Sequence, residues 1–210
     1  ELDNGYTWKY QVQLDGATTA NDDTRLEIGT DMGTVGFYIS EGGMRKSLHG
    51  VGALGSGFDY HSPASGTAGA FQTGYNVDGY ANVQYHTPAD LLPFGIGVKL
   101  GFVPNMNATG MLSAKGDSGL PATQAEGRDL TMAQVSAAPV DGLSIKGDYA
   151  VTDAIGADAN GDDGTSANVS ASYTIGQVTV GYAEGGYQAT TGATANDETV
   201  YYENKFYGIQ

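Results

Sequence analysis

The sequence predicts an all-β fold and, within that class, a transmembrane antiparallel β-barrel. Three observations predict it. The first is a two-residue rhythm of large apolar against polar or small side chains. Trp8, Tyr10, Val12 and Leu14 alternate with Lys9, Gln11, Gln13 and Asp15. Phe94, Ile96, Val98, Leu100 and Phe102 alternate with Gly95, Gly97, Lys99 and Gly101. Successive side chains of a strand point to opposite faces, so each segment is a strand with one oily face. No segment looks like a core helix, which leaves the oily face free to turn outward into lipid. The second is composition. With Gly 33 and Tyr 14 in 210 residues, the chain favours strands and turns over helices. The third is that short and long connections alternate, as in a barrel with short periplasmic turns and long extracellular loops.

Taken in order, the alternation places ten strands at about 6–15, 23–30, 33–41, 79–87, 94–103, 129–138, 143–152, 165–175, 177–188 and 199–210. Asp31-Met32, Pro88 to Pro93, Pro139 to Gly142, and Gly176 are the short connections. The long ones, at 16–22, 42–78, 104–128, 153–164 and 189–198, are rich in Gly, Asp, Asn, Ser and Thr. Those residues supply turn chemistry and keep the backbone solvated. The 42–78 segment reads mostly as loop, with room for one short strand or helix. A soluble β-sandwich is the competing architecture, but it has no reason to sort its loops by length. Tyr6, Trp8, Phe37, Tyr80, Tyr85, Phe94, Phe102, Tyr149, Tyr173 and Tyr182 are placed near strand ends. Girdles at two lipid–water boundaries and core packing between two sheets both account for them.

Charge and composition exclude several classes. The net charge of −15 argues against nucleic acid as a partner, because phosphate binding needs clustered Lys and Arg. The chain has Cys 0, so it has neither disulfides nor thiolate metal sites. No run approaches the ~20 apolar residues of a transmembrane helix. Residues 1–5 read as a turn into a strand, and 201–210 as a strand in progress. The chain is therefore expected to be an internal stretch of a longer protein, a single barrel domain incomplete at both ends.

Several stretches resemble general bacterial porins. "TRLEIGTDMGTVGFYIS" is similar to the strand–turn–strand that precedes the inward loop of that family. "ELDNGYTWKYQVQLD" resembles the strand before it. "ANVQYHTPADLLPFGIGVKLGFVPN" and "ASYTIGQVTVGYAEGGY" resemble a later pair and a late hairpin. The resemblance implies a chain running from about the third to the twelfth strand of a sixteen-stranded barrel. It implies a homotrimer in the bacterial outer membrane, with 42–78 as the inward constriction loop. The P-E-F-G stretch of enteric members is missing, which points to another Gram-negative lineage.

Function in such a protein resides in the charges that line a water-filled lumen. By parity, the polar faces of the early strands carry Lys9, Gln11, Gln13, Arg25, Glu27, Tyr38 and Ser40, and Lys99 and Lys146 share that face. The resemblance implies that basic residues on early strands oppose acids of the inward loop. Lys9 and Arg25 match that wall. Glu41 and Asp59, with Arg45 and Lys46, match the loop. Ordinary solvated charges are the plainer reading of the same residues.

Other motifs say less. Gly50 to Gly55 satisfies the dinucleotide fingerprint G-x-G-x-x-G but sits in a glycine-rich loop, without the strand and helix that the fingerprint requires. Asp158, Asn160 and Asp162 place oxygen donors at alternate positions, as at the start of a calcium loop. Asp163 stands where an EF-hand needs Gly, and Val169 where it needs Glu. A non-EF Ca2+ site and a solvated acidic hairpin tip are both open there. No other cofactor is expected. His49, His61 and His86 are dispersed, and no nucleophile signature is present, so no enzyme activity is expected.

The expected function is passive diffusion of ions and small hydrophilic solutes across the outer membrane. The expected surroundings are lipid and lipopolysaccharide. A substrate-specific channel of the same architecture and an acidic β-rich surface or adhesin protein stand beside it.

Overall fold

Connections of only a few residues cannot carry a crossover, so a strand that follows one folds back antiparallel on its predecessor. The computed structural model describes residues 5–12, 24–39, 42–44, 60–61, 75, 77, 81–88, 90–106, 128–153, 163–188 and 201–209. Among them are eleven strands: β1 (Thr7–Gln11), β2 (Arg25–Thr30), β3 (Gly33–Tyr38), β4 (Tyr60–His61), β5 (Asn82–His86), β6 (Gly97–Met106), β7 (Arg128–Ala137), β8 (Leu143–Thr152), β9 (Gly164–Ile175), β10 (Val178–Gln188) and β11 (Tyr201–Ile209). They form one antiparallel sheet, ordered β1-β2-β3-β5-β6-β7-β8-β9-β10-β11-β4. The ten strands expected from the sequence are present. The two-residue β4 lies inside the 42–78 segment and pairs with β11. Among the described residues β1 pairs with β2 alone.

The short turns are built by local chemistry. At Asp31-Met32, Thr30 Oγ1 accepts the Met32 N–H at 3.1 Å and donates to the Gly33 carbonyl at 3.0 Å. Gly176 adopts φ +61 in the two-residue turn between β9 and β10, a conformation that costs glycine least. The β5–β6 connection departs from expectation. Pro93–Gly95 forms a 3-10 turn in which Phe94 has φ 60 and Gly95 φ 61. A left-handed backbone cannot continue a strand. β6 therefore starts at Gly97 rather than at 94, and Phe94 leaves the apolar face it was expected to share. At its far end β6 runs on to Met106, past the expected 103. The register shifts between Val103 and Met106, around Pro104, which has no N–H for the ladder.

The two faces of the sheet have opposite chemistry. Successive pairs align Trp8, Ile28, Val35, Tyr85, Leu100, Ala133, Tyr149, Ala167 and Gly186 across nine strands. The neighbouring row is Thr7, Gly29, Thr34, His86, Lys99, Gln134, Asp148, Asn168 and Gly185. Large apolar side chains of the first kind stand exposed: Trp8, Phe37, Leu100, Phe102, Val135, Tyr149, Val169 and Tyr182. Polar side chains of the second kind are buried: Asn82, Gln84, Gln134, Asp148, Ser166, Asn168 and Ser170. This inverts the distribution usual in water-soluble domains. Not every aromatic lies at a strand end. Phe102 and Tyr182 are mid-strand, and Tyr80 falls outside the described residues.

An apolar cluster interrupts the polar face. Met44 and Val77, from the two stems of the 42–78 segment, pack with Val103, Leu130, Met132 and Ala150, and Tyr75 lies against them. Gly101 makes the approach possible, because a Cβ there would stand 2.2 Å from Met44 Sδ and 2.8 Å from Val77 Cγ2.

Candidate functional site on the polar face

Side-chain alternation on β1, β2 and β3 brings five of the expected site residues together. Lys9 pairs in register with Glu27, and Gln11 with Arg25, which in turn pairs with Tyr38. Arg25 Nη2 donates to Gln11 Oε1 at 2.8 Å. The Tyr38 hydroxyl donates to Glu27 Oε1 at 3.1 Å. Lys9 Nζ and Arg25 Nε each stand 4.0 Å from a Glu27 oxygen. At that distance, with the Lys9 side chain 59% exposed, the Lys9–Glu27 pair is worth well under ~1 kcal/mol. Two cations and one anion thus stand together on one stretch of the polar face. Arg25 Nε is buried and has no hydrogen-bond partner.

The middle of the sheet holds the stems of the 42–78 segment. Gln84 Nε2 donates to the Gly42 carbonyl and to Asn82 Oδ1, and Gln84 Oε1 meets His86 Nε2 at 2.8 Å. Gln134 Nε2 donates to the Met44 carbonyl at 3.2 Å, and Ser166 Oγ to the Tyr75 carbonyl at 2.9 Å. The stems also bond each other, Met44 N–H to Val77 O at 3.0 Å. The polar face thus satisfies backbone groups of the stems, among them those of the buried Gly42 and Met44, as burial requires. These stems lie on the polar face.

Lys99 lies on the same face, three strands along the sheet from Glu27, between His86 and Gln134 in register. Asp148 accepts from Asn168 Nδ2 at 2.7 Å. Glu41, Arg45, Lys46 and Asp59 lie outside the described residues, as do Asp158, Asn160 and Asp162. Among the described residues no three His, Asp or Glu side chains gather as a metal site.

Sequence reading missed the clamp residues Gln84, Gln134 and Ser166. A signal was present on β7. Leu130 and Met132 share parity with Gln134 and Ser136, so two large apolar side chains sit on an otherwise polar face and need a cover. No protein-family model and no curated protein matches the chain.

Proposed function

We propose that the chain is the wall of an outer-membrane diffusion channel of the general porin type, passing ions and small hydrophilic solutes down their gradients. The inverted faces carry this reading. Trp8, Leu100, Val135 and Tyr149 are exposed while Gln84, Gln134, Asp148 and Asn168 are buried, which suits lipid on one side and water-filled space on the other. The apolar face meets membrane lipid, and the long loops meet lipopolysaccharide. The stems of 42–78 on the polar face suit a segment that narrows the lumen. Lys9, Arg25 and Glu27, with the acids and bases that the family resemblance implies for the inward loop, Glu41, Arg45, Lys46 and Asp59, set a transverse field that sieves solutes by charge and dipole. Three copies form the homotrimer that the family resemblance implies. For Asp158, Asn160 and Asp162, a non-EF Ca2+ site and a solvated acidic tip both stay open as readings of the sequence.

Single-channel conductance in a planar lipid bilayer tests the reading. Ohmic steps that close in threes at high voltage are the expected result. Folded protein that stays dispersed without detergent and gives no conductance overturns it, in favour of the acidic surface-protein alternative.

A further inference from the structure

The apolar face changes character at β10 and β11. Register aligns Val98, Val135, Gly147, Val169, Glu184 and Lys205 in one row across β6 to β11, and His61 of β4 continues it. Four apolar or glycine positions thus lead into an acid and a base. On the side of the short turns the next row ends in Tyr182 and Tyr207, and on the side of the long loops in Gly186 and Glu203. Glu184 is partly exposed, and its Oε2 accepts the Tyr182 hydroxyl. Among the described residues of β1 to β9, the other Asp, Glu, Lys or Arg on this face is Asp129, at the long-loop end of β7.

Depth makes that row informative. Glu184 stands six residues past Val178, where β10 leaves its short turn. At about 3.3 Å per residue this is about 20 Å along the strand. Strands of a membrane barrel tilt by about 35–45°, which puts Glu184 about 14–16 Å above the turn in an apolar band about 25 Å tall. Val178, Val180 and Tyr182 below it are exposed and apolar or aromatic, so the band begins at the turn. Val169, beside Glu184 in the row, is 46% exposed and suits lipid. An acid and a base at that depth do not, and such groups face protein or water instead of hydrocarbon. Local pairing within the chain lowers the cost without removing it, because an ion pair in hydrocarbon is still desolvated. The opposite face of the sheet belongs to the lumen, so the cover on this patch comes from outside the chain. A second copy fits its charges. Closed assemblies of one chain are mostly cyclic, and a patch beside the symmetry axis meets copies of itself. With an acid next to a base, each copy brings its Glu184 to the Lys205 position of the next, head to tail. A patch of one sign would repel itself there.

We propose that the apolar-face side of β10 and β11, centred on Glu184 and Lys205, is the contact between copies of this chain. Gly186, next to Glu184 on the same face, carries no side chain and leaves room for close approach. In the channel reading, on which this inference rests, this is the face that joins the homotrimer.

The test uses the whole chain in a sugar-headgroup detergent and in phospholipid vesicles. The sequence has Cys 0, so single introduced cysteines report contacts through a short bifunctional maleimide. G186C is expected to cross-link into covalent dimers, and A133C, on the same face at β7, to stay uncross-linked. Self-association is read by sedimentation. E184K alone and K205E alone are each expected to weaken it at least about tenfold, the scale of a close interfacial charge pair. Mixed together, the two variants are expected to recover part of it, because opposite charges then meet at two contacts of every mixed trimer. Mixing cannot restore a pair within one chain, so recovery separates the two. Failure of G186C to cross-link beyond A133C, or of the mixture to associate beyond either variant, overturns the contact. Far-UV circular dichroism checks folding, and where a charge variant does not fold, the cysteine pair decides alone. Conductance is read from the same preparations. Channels whose G186C stays uncross-linked would remove the contact alone, and cross-linked oligomers that never conduct would remove the channel reading alone.

Discussion

Removing the Glu27 carboxylate leaves Tyr38, Arg25 and Lys9 to find other partners, because all three meet at its two oxygens. The variant E27A is expected to lose about 1 kcal/mol from the Tyr38 hydrogen bond, read as a shift in denaturation midpoint. The variant E27Q keeps an acceptor for Tyr38 and removes only the charge. A unit charge about 10 Å from the ion path in water is worth about 0.4 kcal/mol, or about twofold in local ion concentration. In the channel reading, E27Q is therefore expected to move the cation-to-anion permeability ratio toward anions by about that factor, measured as reversal potential in a salt gradient. An unchanged ratio would place Glu27 away from the ion path. Gly101 tests the stem contact. A side chain there would displace Met44 and Val77, so G101L is expected to cost about 1–3 kcal/mol and to speed proteolysis within 42–78. A stable, protease-resistant G101L would contradict the packing.

At the scale of the strand, β6 offers an internal control. Lys99 already places a cation on the polar face, and Leu100, the next residue, is 47% exposed on the apolar one. In a membrane, L100R is expected to cost about 2–4 kcal/mol near the bilayer midplane, while K99R is nearly neutral. Urea titration of folding into phospholipid vesicles measures both. Equal, small effects would show that the apolar face does not meet lipid. Strands were the legible part of this sequence, because an alternation such as Trp8 to Leu14 records which face each residue occupies. The start of β6 was not legible. Phe94 and Gly95 keep the alternation in sequence while their left-handed backbone breaks it in space. The stems were not legible for another reason. Contacts such as Gln134 to Met44 join residues 90 apart in the chain, and no local periodicity encodes them. Of the candidate site, parity revealed the shared face of Lys9, Gln11, Arg25, Glu27, Tyr38 and Lys99, but not the bonds that group the first five.

Across the whole molecule, the −15 total charge and the few wall cations oppose each other, and salt decides between them. The Debye length is about 30 Å at 0.01 M and about 3 Å at 1 M. Carboxylates throughout the chain act at a distance in dilute salt, while concentrated salt leaves only the charges beside the ion path. In the channel reading, cation preference is thus expected at 0.01 M and to weaken by 1 M, measured by reversal potential at matched gradients. A preference independent of salt would assign selectivity to the wall alone.

The order of the sheet has a consequence for how such a wall changes in evolution. Apart from the two-residue β4, each strand pairs with the strand next to it in the chain. The repeating unit is thus a hairpin, and each unit's ladder depends only on its neighbours. Duplicating or deleting one hairpin changes the sheet by two strands and leaves the ladders of distant hairpins in place. A gene that carries this sheet can resize it in discrete steps, by ordinary tandem duplication, with new contacts needed only where the changed hairpin meets its neighbours, the 42–78 stems or β4.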